Sequence, residues 1–144
     1  METGISFTDL AASADDRFVP LRRQLGVTSM GLNQIVLAPG ERGRIHAHER
    51  QEEVFLVLEG VLTLAVEGEE HDMPQGRLAR VAPEVRRQLV NRGPGRVVIL
   101  ALGGAGAHEG RDGLAYRDWD DTDPAPPQEV PLPADLPPGE IRTA

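Results

Sequence analysis

The chain has no cysteine and no lysine, only five aromatic side chains, and no apolar run of membrane-spanning length. Each absence excludes something. Without cysteine there is no disulfide and no thiolate ligand, so a bound metal must be held by imidazole, carboxylate or water. Without lysine the positive charge rests on 15 arginines. Their abundance, with that of Ala, Gly and Pro, reads as GC-rich coding rather than as function. The net charge of −8 argues against sequence-independent binding to nucleic acid, which needs cations to neutralise phosphates. No segment predicts a membrane span, and the start, METGISFTDLAASADDR, has acids where a secretory signal needs an apolar stretch. The expected location is cytoplasmic. With so few aromatics the core must come from Val, Leu, Ile and Ala, and 144 residues suit one domain.

What is present from about residue 18 to 102 is a series of short apolar runs. They are FVPLRRQLG, SMGLNQIVLAPG, RIHAH, EVFLVLEG, VLTLAVEG, GRLARVAP, RRQLVNRG and RVVILALGG. Each is bounded by Gly, Pro or Asn, the pattern of an all-β sandwich or barrel, and none has the spacing of a packed helix. Residues 1–17 read as an N-terminal arm, either frayed or paired with a neighbouring subunit. Residues 18–119 form the barrel domain, closed by Tyr116 and Trp119. Residues 120–144 hold seven of the twelve prolines and six acids against one arginine, which predicts an extended or disordered tail resting on the barrel at most.

The chemistry concentrates in GERGRIHAHERQEEVFLVLEG, residues 40–60, which holds two of the four histidines. In a strand, residues i and i+2 share a face, so His46 and His48 can converge on one ion. Glu53 opens the next strand after a short connection and can return a carboxylate to the same point. Phe55 and Val57 share its face, with Val54, Leu56 and Leu58 on the other, which predicts a strand buried on both sides. Two imidazoles and a carboxylate with other positions open are the donor set of non-haem iron sites, and suit Mn, Ni or Zn as well. Two surface imidazoles are the bland alternative for a bare His-X-His.

The spacing goes further. Gly40, five residues, His46, one residue, His48, four residues, Glu53, six residues, Gly60 resembles in full the first motif of the cupin superfamily. The second cupin motif runs Gly, five residues, Pro, X, Gly, two residues, His, three residues, Asn. Here Gly76 and Asn91 stand at the right separation, with Ala82, Glu84 and Arg87 in the Pro, Gly and His places. The resemblance implies a double-stranded β-helix, or jelly-roll, with ligands bound inside the barrel near one mouth, and a dimer. It implies His46, His48 and Glu53 as three of the usual four metal ligands. The fourth should be histidine and is Arg87.

Arginine has no lone pair to donate and stays charged, so Arg87 is not a ligand. Three arrangements follow. A divalent metal is held by the other three, with Arg87 anchoring an anionic substrate beside it. Or Arg87 pairs with Glu53 in a metal-free cavity. Or it points out of the mouth. Arg44 shares the face of His46 and His48 by alternation, and is a second substrate-binding candidate or a rim residue in solvent. Gln88 and Gln51 are weaker substitutes for the lost ligand. Glu52 should face solvent, His71 lies in a turn, and His108 with Glu109 falls in a glycine-rich surface loop. The glycines at 103, 104, 106 and 110 miss the nucleotide-loop spacing, because position 109 is Glu109.

The leading expectation is thus a single-domain cupin holding one divalent metal and a small anionic organic molecule, with oxygenase chemistry or Lewis-acid isomerisation if it is an enzyme. A metal-free binding or regulatory cupin competes with it, and an epimerase acting on sugar nucleotides stands third.

Overall fold

The computed structural model of the chain describes residues 4–11, 17–104 and 112–143. Among the described residues ten strands form two antiparallel five-stranded sheets that face each other. The first sheet holds β1 (Phe18–Val19), β2 (Gly31–Leu37), β9 (Val97–Gly104), β4 (Glu52–Glu59) and β7 (Leu78–Val81), in that order. The second holds β10 (Gly113–Tyr116), β3 (Ile45–His48), β8 (Arg87–Val90), β5 (Val61–Val66) and β6 (Glu69–Pro74). The architecture is the jelly-roll that the short, turn-bounded runs predict. Among the described residues no helix is long and apolar enough to cross a membrane.

The core lies between the sheets and is aliphatic, as the scarcity of aromatics requires. Leu37, Phe55, Val57, Leu62, Leu64, Leu89, Val97 and Ile99 are all buried there. Alternation is kept in β4: Phe55 and Val57 point inward, whereas Val54, Leu56 and Leu58 are only half-buried. The expected burial on both faces therefore holds for one face. The outer face of the first sheet is covered at β2, where Gln34 and Val36 are buried, and only partly over β4. Part of this cover is the arm, where Ala11 and Gln34 exchange two hydrogen bonds of 2.8 and 3.0 Å.

Three elements differ from their sequence reading. FVPLRRQLG is a two-residue strand followed by a short helix, α1 (Leu21–Leu25), because Pro20 ends the ladder and Gly26 closes the helix at φ 76°. His71 lies within strand β6 rather than in a turn; the turn is Glu67–Gly68 just before it. That strand was hard to read because it is a sheet edge, with charged side chains in solvent and only Met73 buried. Strand β10, GLAY, follows the glycine-rich stretch and was not expected at all.

The tail is an extended strap on the barrel. Ala125 bridges to Ala115, the Leu136 amide donates to the Gly40 carbonyl (2.8 Å), and Val130 and Leu136 are buried. Proline-rich chain can thus supply apolar anchors without a ladder. Arg86 lies over the rings of Tyr116 and Trp119 at 5.5 and 5.9 Å.

The motif residues without ionisable groups hold the backbone. Gly60 turns β4 into β5 at φ 80°, and a side chain there would run into the Arg96 carbonyl. Asn91 is wholly buried. Its Nδ2 donates to the carbonyls of Leu37 (2.8 Å) and Gly95 (3.0 Å), and its Oδ1 accepts from the Gly93 amide (2.7 Å).

Candidate metal centre

β3 delivers His46 and His48 to the interior, because its alternation buries Ile45 and Ala47 on the opposite side. Glu53, near the start of β4, faces them from the other sheet. His46 Nε2 lies 3.4 Å from Glu53 Oε1, and His48 Nε2 lies 3.7 Å from Glu53 Oε2. One donor atom from each of the three falls within 4.8 Å of the others. Two ligands each about 2.1 Å from one ion stand about 3.0–3.5 Å apart, so small side-chain rotations close this set on a metal.

The donor set has a chemical polarity that favours a cation. His46 Nδ1 is 3.2 Å from the Arg44 carbonyl, and His48 Nδ1 is 2.8 Å from Asp112 Oδ1. In the neutral ring with its proton on Nδ1, that nitrogen donates to these oxygens and Nε2 keeps its lone pair directed at Glu53. Nitrogen lone pairs and a carboxylate facing one another need a positive charge between them, a proton or a metal. The residues present fit a divalent ion.

Protonation follows from the same contacts. When a proton rather than a metal fills that gap, burial works to raise the Glu53 pKa, yet the hydrogen bonds that Nε2 of His46 and His48 then donate outweigh it and hold the carboxyl well below the usual range. Burial works to lower the His48 pKa, but its bonds to Glu53 and Asp112 and the charge of Glu53 push it above the ordinary value.

Arg87 lies directly across the ladder from His46, in the fourth-ligand place that the second-motif spacing indicates. Its side chain is 0% exposed, which removes the arrangement in which it points out of the mouth. Nη1 donates to the Val85 carbonyl at 2.8 Å, Nη2 reaches the Ala82 carbonyl at 3.5 Å, and Nε is 3.6 Å from Glu53 Oε1. Among the described residues Nε has no hydrogen-bond partner. Burial lowers its pKa while the charges of Glu53 and Asp112 raise it, and it remains a cation. Its contacts thus run to Glu53 and to two backbone carbonyls.

The triad forms the polar end of a cavity of about 530 Å³. Its walls are Ile35, Leu37, Phe55, Leu89 and Ala101, with Arg17, Asn33 and Arg44 as polar members. The exposed Phe18 and Leu132, one from each end of the chain, and Pro127 of the strap complete its rim. Arg44 thus faces inward with the two histidines, and its Nε donates to the Val130 carbonyl of the strap at 2.6 Å. A second hollow of about 540 Å³ opens between β6 and β7, but no triad residue lines it. Donor chemistry, not volume, selects the first.

The remaining candidates lie elsewhere. Gln88 donates to the Gly43 carbonyl at 3.0 Å, and Gln51 Nε2 to Asp112 Oδ1 at 2.6 Å, so both are structural. Glu52 is exposed and pairs with Arg80 at 2.8 Å, and His71 is exposed on its edge strand. His108, Glu109, Gly106 and Gly110 lie outside the described residues. Asp112 is the residue that sequence reasoning missed. Only β10, whose Gly113 pairs with His48, could have pointed to it.

A two-sheeted jelly-roll with a His-X-His and glutamate set that could hold a metal at one end of its cavity is the arrangement of one class of β-barrel. Residues 33–103 match the cupin domain family, and the chain belongs to the cupin superfamily. Over 77 residues it is 36% identical to the tetracenomycin polyketide synthase protein TcmJ of Streptomyces glaucescens, a match covering 52% of either chain. The chain thus spans about half the length of that curated relative. A sugar phosphate isomerase of the cupin superfamily from Silicibacter pomeroyi is 27% identical, with a TM-score of 0.60 and 85% of both chains covered. A cupin protein from Bacteroides fragilis has a TM-score of 0.65 at 23% identity, covering 76% of this chain and 92% of its own.

Proposed function

We propose that this protein is a metal-dependent cupin that binds one divalent ion, Fe, Mn, Ni or Zn, through His46, His48 and Glu53. The observation that carries this reading is the capping of both Nδ1 atoms by oxygen, which leaves both Nε2 lone pairs aimed at one carboxylate. A bound ion supplies Lewis-acid polarisation of a ligand oxygen, as an isomerase or an oxygenase requires. The chain supplies the rest. Ile35, Leu37, Phe55 and Leu89 exclude water and receive an apolar body, while Arg44 faces any anionic group on it. Such walls suit an organic molecule with one oxygen-rich end better than a sugar phosphate, whose hydroxyls and phosphate need many polar partners.

The metal-free reading keeps one specific support, the 3.6 Å approach of Arg87 Nε to Glu53. Metal analysis of protein purified without an affinity tag separates the two. We expect close to one equivalent of metal in the wild type and almost none after His46→Ala. Less than about a tenth of an equivalent, with no gain in melting temperature on adding Fe(II), Mn(II), Ni(II) or Zn(II), would overturn the metal reading.

The partner we propose beyond the ligand is a second copy of the chain. The exposed apolar side chains of the arm, Ile5, Phe7 and Leu10, support it, and light scattering of the purified protein tests it.

A further inference from the structure

Asp112 stands outside both motifs, yet it touches the donor set directly. It is buried just before β10 and accepts hydrogen bonds from four groups. Oδ1 meets His48 Nδ1 at 2.8 Å and Gln51 Nε2 at 2.6 Å. Oδ2 meets the amides of Arg50 at 2.9 Å and Gln51 at 3.0 Å. The ladder explains how it arrives there, since Gly113 pairs with His48 and residue 112 immediately precedes that pair. The carboxylate is thereby locked to the β3–β4 connection, and the imidazole is locked to the carboxylate.

We propose that Asp112 is the positioning residue for His48, fixing its ring with Nε2 toward Glu53, and that its charge offsets the buried cation Arg87. This rests on the metal reading above. With neutral imidazoles, Glu53 and Arg87 cancel, so Asp112 supplies the net negative charge that a divalent ion meets. A chain with arginine in the fourth-ligand place needs such an acid more than one with histidine there.

The test uses the full chain. In metal-free wild type, at a pH above the His48 titration followed in the same spectra, nitrogen NMR should find His48 protonated on Nδ1. Asp112→Ala should abolish that tautomer preference and weaken zinc binding about ten- to a hundredfold, the range seen when a partner of a ligating histidine is lost. Asp112→Asn keeps an oxygen but not the charge and should fall between. Adding Arg87→Gln to Asp112→Asn should recover affinity toward the wild type. Protonation of wild-type His48 on Nε2 would overturn the proposal, as would zinc affinities of both variants within about twofold of wild type. Failure of the double variant to recover would overturn its charge half. If Asp112→Ala does not fold, Asp112→Asn and the wild-type tautomer decide. If wild type takes up no zinc, the metal reading fails separately, and the tautomer still decides whether Asp112 orients His48.

Discussion

The first motif, on β3 and β4, and the second, from the turn before β7 to the end of β8, have diverged to different degrees. The first keeps every residue of its pattern; the second keeps Gly76 and Asn91 and has replaced the other three. Both nonetheless occupy the same fold, with Arg87 in register opposite His46. The difference shows that architecture and chemistry rest on separate residues. Gly60 and Asn91 hold the backbone; His46, His48 and Glu53 hold lone pairs; and the fourth donor has been exchanged without moving its strand.

Replacing one residue of each kind sharpens the contrast. Asn91→Ala removes three hydrogen bonds and strands two carbonyls and an amide around a buried site. It should cost about 2–4 kcal/mol, read as a lower urea midpoint at unchanged slope. His46→Ala in metal-free protein should cost about 1 kcal/mol or less, although it removes a ligand. If the two variants lose similar stability, the division between architecture and chemistry is not real.

The sequence disclosed the two kinds of residue unequally. Strands with apolar alternation, β2 to β5 and β7 to β9, were legible because one face is buried. β6 was not, because an edge strand shows charge on both faces, and β10 was not, because four residues after a glycine-rich stretch carry little periodicity. The triad was legible because its members lie within eight residues on two strands consecutive in the chain. Asp112 was not, because it meets His48 from 64 positions away and belongs to no local pattern. The inward parity of Arg44 was readable, but its bond to the strap at Val130 depends on tertiary contact.

Restoring the missing donor tests the comparison next. Arg87→His removes a cation beside the triad and adds an imidazole at the position opposite His46. Zinc or manganese affinity should rise about tenfold or more, with each tenfold worth about 1.4 kcal/mol. The metal-free form should melt lower, because the bonds to Val85 and Ala82 are lost. Unchanged affinity would mean that the metal does not sit between His46, His48 and Glu53.

The pH dependence of metal-free protein probes the first motif alone. Glu53 has a lowered pKa when folded, so its stabilisation is present above the ordinary 4.5 and is lost as pH falls through the folded value. His48 has a raised pKa, so its stabilisation is full below 6.5 and is lost as pH rises through the folded value. Both contributions are present between those values. Metal-free protein should therefore melt higher at about pH 5.5 than at about pH 8.5. Added metal should reverse the order, because its ligands must first lose their protons. A metal-free melting temperature that rises across this range would contradict the assigned hydrogen bonds at the triad.

The smallest effect lies in the second motif, at the place where the family pattern has glycine. Glu84 is exposed and adopts φ 68°, the left-handed region that a side chain disfavours by about 1–2 kcal/mol. Its amide donates to the His48 carbonyl at 2.7 Å, so the turn is held to β3 whatever residue occupies it. Glu84→Gly should relieve the strain but add freedom to the unfolded chain worth about 0.5–1 kcal/mol, leaving a net gain of about 0.5 kcal/mol. That corresponds to about 1–2 °C in melting temperature for a chain of this size. Glu84→Ala keeps the Cβ and should change little, which makes it the control. A gain confined to glycine would mean that the second motif retains the backbone of its ancestral pattern after losing that pattern's side chains; an equal gain with alanine would trace the effect to the Glu84 carboxylate instead.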